Sequence, residues 1–159
     1  ALAVWQGIDE AERTSSLTSA QAQYAAVLAD LGRFREALGY LDSAIAQYAA
    51  EEGHGGPRMD AARARRGFVL ARLGRATEAI TELEATLPEL SATRFGWRSS
   101  DYFAWQSAYA GALLDAGRPA DAAAALAEMR RHLSERREPR WSRFEEDLAA
   151  LAARLGEVR

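Results

Sequence analysis

The sequence predicts an all-α fold of stacked helical hairpins, and three observations carry that expectation. A glycine-centred segment recurs at a nearly fixed spacing, and such a period decides a whole fold. Apolar residues recur three and four positions apart on both sides of each glycine, the spacing that lines one face of a helix. Alanine is the commonest of the 159 residues, which favours helix throughout, and no strand is expected.

The repeated segments are LADLGRFREALGYLDSAI (28–45), LARLGRATEAITELEATL (70–87) and LLDAGRPADAAAALAEM (113–129). They share a Gly-Arg pair, an alanine five residues after the glycine and a leucine four residues beyond it. Gly32, Gly74 and Gly117 are spaced by 42 and 43 residues. A truncated fourth copy, AARLGEVR (152–159), places Gly156 a further 39 residues on. Each unit reads as two helices joined at its glycine, a residue that tolerates the left-handed conformation ending a helix.

Helices are predicted near 2–13, 18–31, 34–52, 59–73, 76–87, 101–116, 119–134 and 140–155. In the first unit the expected buried face is Tyr24, Leu28 and Leu31, then Phe34, Leu38, Leu41, Ile45 and Tyr48. The second unit repeats it with Leu70 and Leu73, then Ile80, Leu83 and Leu87; the third uses Tyr109, Leu113 and Leu126. Trp5 and Ile8 at one end, and Trp141, Phe144, Leu148, Leu151 and Leu155 at the other, supply amphipathic faces over the outer repeats. One domain, 1–159, is expected: 1–17 as the end of a preceding repeat or a cap, then repeats at 18–58, 59–100 and 101–138, and a partial repeat or capping helix at 139–159. Stepping one period back from 34–52 makes ALAVWQGIDEAER resemble the tail of an earlier unit. A segment excised from a longer protein is the expectation, with two capping helices as the alternative.

Composition excludes several functions. Net charge is −3, and all 20 basic residues are arginine. No apolar run approaches the roughly 20 residues of a membrane span, and no amino-terminal signal is visible, so a cytoplasmic setting is expected. The absence of cysteine removes disulfides, thiolate zinc sites and thiol nucleophiles. The two histidines, His54 in the GHGGP turn and His132, lack companions at ligand spacing, so neither a metal nor a cofactor is expected. The GHGGP turn also lacks the lysine of a phosphate-binding loop. Glu51–Glu52 and Glu145–Glu146 read as solvated faces, and no catalytic constellation is visible, so an enzyme is not expected. Six arginines between Arg130 and Arg143 face only Glu135 and Glu138, but helix-end placement and the acidic run at 145–147 account for them; nucleic acid is not an expected partner.

The segment 93–109 concentrates six of the chain's 14 aromatics. Tyr102, Trp105 and Tyr109 share one helix face and read as core. Phe95 and Trp97 precede the helix beside Arg94 and Arg98, the pairing of a recognition edge or of a tryptophan folded back over the repeats.

The small residues Ala25, Gly67 and Ala110 in first helices and Ala37, Ala79 and Ala122 in second helices, with Tyr24 and Tyr109 and with Leu41, Leu83 and Leu126, resemble the tetratricopeptide repeat over about residues 18 to 156. The unit of 42 or 43 residues departs from the usual 34 and is similar to the longer variety of kinesin light chains and many bacterial signalling proteins. Arg63 and Arg66 stand where the family is usually apolar. The resemblance implies a right-handed superhelical solenoid of antiparallel helix pairs whose first helices line a concave groove for a peptide or a partner's helix.

The groove positions it implies are Ser19, Ala22, Gln23, Ala26 and Asp30; Ala61, Ala64, Arg65, Phe68 and Arg72; and Ala104, Ser107, Ala108, Gly111 and Asp115. Arg65, Phe68 and Arg72 share a helical face, and arginine suits bidentate carboxylate contacts. A protein or peptide segment, acidic or ending in a carboxylate, is therefore the expected partner. Asp30, Arg72 and Asp115 are equivalent positions, so Arg72 is also a candidate to pair with its neighbours. The lysine-and-asparagine clamp for chaperone tails is absent. Two functional readings follow: a non-enzymatic protein-binding scaffold, or the sensor segment of a bacterial multidomain signalling or transcription regulator that binds a peptide or small effector.

Overall fold

The computed structural model describes residues 10–52, 56–92, 100–134 and 142–157. These form seven helices: α1 (Glu10–Asp30), α2 (Phe34–Glu52), α3 (Pro57–Arg72), α4 (Ala76–Ala92), α5 (Ser100–Asp115), α6 (Pro119–Ser134) and α7 (Ser142–Glu157). No strand occurs among the described residues.

The three glycine turns are built alike. Gly32, Gly74 and Gly117 have φ of 74°, 75° and 70°, the left-handed region that costs glycine nothing. Each closes the preceding helix with two crossed bonds, as in Gly32 N–H to Ala29 O (3.0 Å) and Arg33 N–H to Leu28 O (2.8 Å). The arginine after each glycine then bonds an acid on the next turn: Arg33 to Glu36, Arg75 to Glu78 and Arg118 to Asp121, each at 2.6 Å. Those hydrogen bonds hold the carboxyls of Glu36 and Glu78 below the usual range. The acids also lie at helix N-termini, where negative charge is favoured.

Every helix packs on the next, and α1 with α3, α3 with α5 and α5 with α7 also touch. The core is correspondingly a chain of overlapping clusters. Leu28, Leu41 and Tyr48 meet Met59 and Val69; Ala64, Leu83 and Leu87 meet Tyr102 and Trp105; Leu70 and Ile80 join Phe103, Leu113, Leu126, Met129 and Phe144. Burying each such large side chain contributes about 1.5–3 kcal/mol. The small residues expected at helix contacts are buried: Ala25, Ala37, Ala79 and Ala122 are at 0%, and Ala110 is at 1%. Gly67 lies so close to α4 that an added Cβ would stand 2.6 Å from Leu83 Cγ.

Several expectations are corrected. No break separates residues 13 and 18, because 14–18 contain neither glycine nor proline and Thr18 Oγ1 bonds back to Thr14 O within one helix. Helix α4 continues through Pro88 to Ala92, since Leu87 and Leu90 bury on one face and one missing backbone donor costs less than both. Tyr24 and Leu31 are not core; they are 45% and 67% exposed, and Ala22, Ala25 and Ala29 join Leu28 on the buried face instead. Arg63 and Arg66 fit at family-apolar positions because both bond Glu82 (2.8 and 2.9 Å) and Arg66 also bonds Asp42 (2.6 Å). His132 is buried against the rings of Tyr102 and Phe103. Trp5, Ile8, His54 and Trp141 lie outside the described residues.

Candidate functional site

The helices preceding each glycine, α1, α3 and α5, together with α7 and with Phe34 at the start of α2, line a hollow of about 730 Å³. Its floor is small: Ala26, Ala29, Ala71, Ala104, Ala108 and Gly111 keep the backbones open around Phe68. Helix periodicity puts these residues there, because positions three, four and seven apart return to one face.

Of the groove positions implied by sequence, Ala26, Asp30, Arg65, Phe68, Arg72, Ala104, Ser107, Ala108, Gly111 and Asp115 line this cavity. Five do not. Ala22 and Ala64 are buried between helices, and Ala61 packs on the core beneath. Ser19 is turned to Tyr48, whose hydroxyl donates to it at 3.4 Å, and Gln23 is exposed on α1 outside the hollow. Arg94, Phe95, Trp97 and Arg98, the candidate aromatic edge, lie outside the described residues.

The two central arginines differ in what they can offer. Arg65 is a strut: it donates to Ala22 O at 3.4 Å and to Asp101 at 3.1 Å, and its guanidinium lies 5.9 Å from the Trp105 ring centre. With its side chain only 13% exposed, it fixes α1 and α5 to α3. Arg72 is exposed and sits 5.5 Å from the Phe34 ring centre. Among the described residues no carboxylate bonds it: the pairing with Asp30 or Asp115 does not form. Asp115 instead holds Arg154 of α7 at 2.6 Å.

Helix α7, which the sequence offered as a partial repeat or a cap, supplies a wall to which no groove position had been carried. Arg143, Glu146, Asp147, Leu151 and Arg154 line the hollow. A signal for them was present. The 39-residue step from Gly117 to Gly156 carries Ala104, Ser107, Ala108 and Asp115 onto Arg143, Glu146, Asp147 and Arg154. The lining is thus mixed in charge: Arg72 and Arg143 share it with Asp30, Glu146 and Asp147.

Tyr102 and Tyr109 turn away from this hollow into a second one of about 290 Å³ between α4, α5 and α6. Burial pushes both phenols up to about 12, aided at Tyr109 by its bond to Glu84 at 3.1 Å. No group of three metal-ligating side chains occurs among the described residues, and no described helix is long and apolar enough to cross a membrane. Set against family models, curated proteins and solved structures, the chain matches none.

Proposed function

We propose that the chain is a tetratricopeptide-like, right-handed superhelical solenoid of antiparallel helix pairs, which holds a protein or peptide segment in its concave face and catalyses no reaction. The packing order supports the architecture: first helices touch one another as well as their own partners, as stacked hairpins require. The observation that carries the function is the hollow itself. Small side chains of α1, α3 and α5 line it beside Phe34, Phe68 and Trp105, leaving space that a packed core does not leave.

The chemistry suits an extended segment carrying an apolar side chain and a carboxylate. The apolar group would rest on Phe68 among the alanines. The carboxylate would meet Arg72, whose fork is not committed to an acid, rather than Arg65, which is already tied to Asp101. Loss of a buried charged contact costs about 2–5 kcal/mol in binding, against less than about 1 kcal/mol for an exposed one.

The test compares Phe68→Ala and Arg72→Ala with Arg94→Ala and Trp97→Ala, each titrated against the protein that the wild-type chain recovers in a pull-down. Weakening by the first pair alone is expected. Weakening by the second pair alone would move recognition to the segment 93–99.

A further inference from the structure

The second hollow, between α4, α5 and α6, is short of hydrogen-bond donors. Gln106 of α5 lines it at 5% exposure, and the amide oxygen Oε1 is buried with no partner. A buried acceptor left in this way has lost its water without a replacement, a state that most buried polar groups avoid. The nitrogen of the same amide donates to the Tyr102 hydroxyl at a long 3.4 Å.

The rest of the lining adds acceptors whose neighbours have already spent their protons. Ser91 donates to Pro88 O at 2.8 Å, and Tyr109 donates to Glu84 at 3.1 Å. Arg118 reaches the same Glu84 oxygen, Oε1, at 3.0 Å, so Oε2 keeps its lone pairs. Glu128 of α6 has Arg131 at 3.7 Å and His132 at 4.0 Å, both beyond hydrogen-bond length. Pro88 carries no N–H, so the Glu84 carbonyl one turn earlier lacks its helical donor. Leu83, Leu87 and Ala125 make the remaining wall apolar.

We propose that this hollow is a binding site for a primary ammonium group on an apolar stem, the chemistry of an aralkyl amine or of a lysine side chain. An ammonium brings three donors and no acceptor, the complement of this lining. One N–H goes to Gln106 Oε1, brought round by a turn about the last side-chain bond, whose torsion is broad. The carboxylates of Glu84 and Glu128 take the others and balance the charge, and the stem rests on Leu83 and Leu87. A volume of about 290 Å³ lies at the small end of ligand pockets and suits a group of this size. The site shares no lining residue with the concave hollow, so it stands whether or not that hollow holds a segment.

The probes are benzylamine and Nα-acetyl-lysine amide, titrated into the whole chain by calorimetry beside benzyl alcohol, which lacks the charge, and benzyltrimethylammonium, which lacks the N–H donors. Saturable binding with a Kd of about 1 mM or tighter is expected for a primary amine. The tighter of the two amines tells a free amine from a partner's lysine. Gln106→Leu should weaken binding at least about tenfold while the melting temperature holds or rises, because it removes the stranded acceptor. Glu128→Gln, at a half-exposed side chain, should weaken it about threefold and tests the site even where the leucine variant fails to fold. Arg72→Ala should leave it unchanged. No saturable binding of either amine overturns the proposal. So does binding of benzyl alcohol or benzyltrimethylammonium as tight as that of benzylamine, or an affinity unchanged in either folded variant, which would leave Gln106 a packing residue.

Discussion

Replacing Gly67 with leucine is expected to destabilise the chain by about 3 kcal/mol, seen as a lower urea midpoint. Even alanine there should destabilise it, although glycine to alanine in a helix ordinarily gains about 1 kcal/mol. A Cβ on residue 67 would lie 2.6 Å from Leu83 Cγ and 3.2 Å from Glu82 Cβ. Leu83 is fully buried, and the contact is at its branch point, not at a free end that swings aside. Glu82 is held by Arg63 and Arg66 together, so relief would have to come from moving α4 away from α3. An unchanged midpoint for both variants would mean that the two helices do not meet at Gly67.

Phe103→Ala should be at least as costly, about 3–5 kcal/mol, because the ring is wholly buried and its space is not easily refilled. Its neighbours are rings from three helices: Tyr102 on α5, His132 on α6 and Phe144 on α7, the last at 5.5 Å between centres. The loss therefore falls on the joint that holds α7 in place. Hydrogen exchange should show protection lost first in residues 142–157, ahead of α1 to α4. Uniform loss across all helices would argue against a separate role for this joint. Because α7 forms one wall of the hollow, the same substitution should weaken partner binding at temperatures where the chain remains folded.

The repeat was legible because three independent signals fell on the same residues. Gly32, Gly74 and Gly117 fixed the turns, apolar spacing fixed the faces of α3, α4 and α6, and small residues marked where helices touch. Tyr24 and Leu31 show where that reading fails. Periodicity tells which residues share a face, but an apolar face reads identically whether a neighbouring helix covers it or not. The continuity of α1 through residue 14 was missed for a related reason, since serine and threonine weaken a helix without ending it. Pro88 misled in the other direction, because burial of Leu90 outweighs a single lost bond. In the candidate site, Phe68 and the small residues Ala26, Ala104, Ala108 and Gly111 were legible through the resemblance, whereas Ala29 and Ala71 were not, and the commitment of Arg65 to Asp101 required knowing which carboxylate came near it. The wall from α7 was within reach of the 39-residue step, but the groove positions were carried only through the third unit.

The most direct measurement of whether the concave hollow binds is the affinity of Ser107→Trp for the protein recovered by the wild-type chain. Ser107 lines the hollow and is partly buried, so an indole there fills the space beside Phe68 without replacing a core residue. The expected result is binding weakened at least about a hundredfold, roughly 2.7 kcal/mol, with helix content and melting temperature held. Binding within about twofold of wild type, with the indole in place, would contradict it.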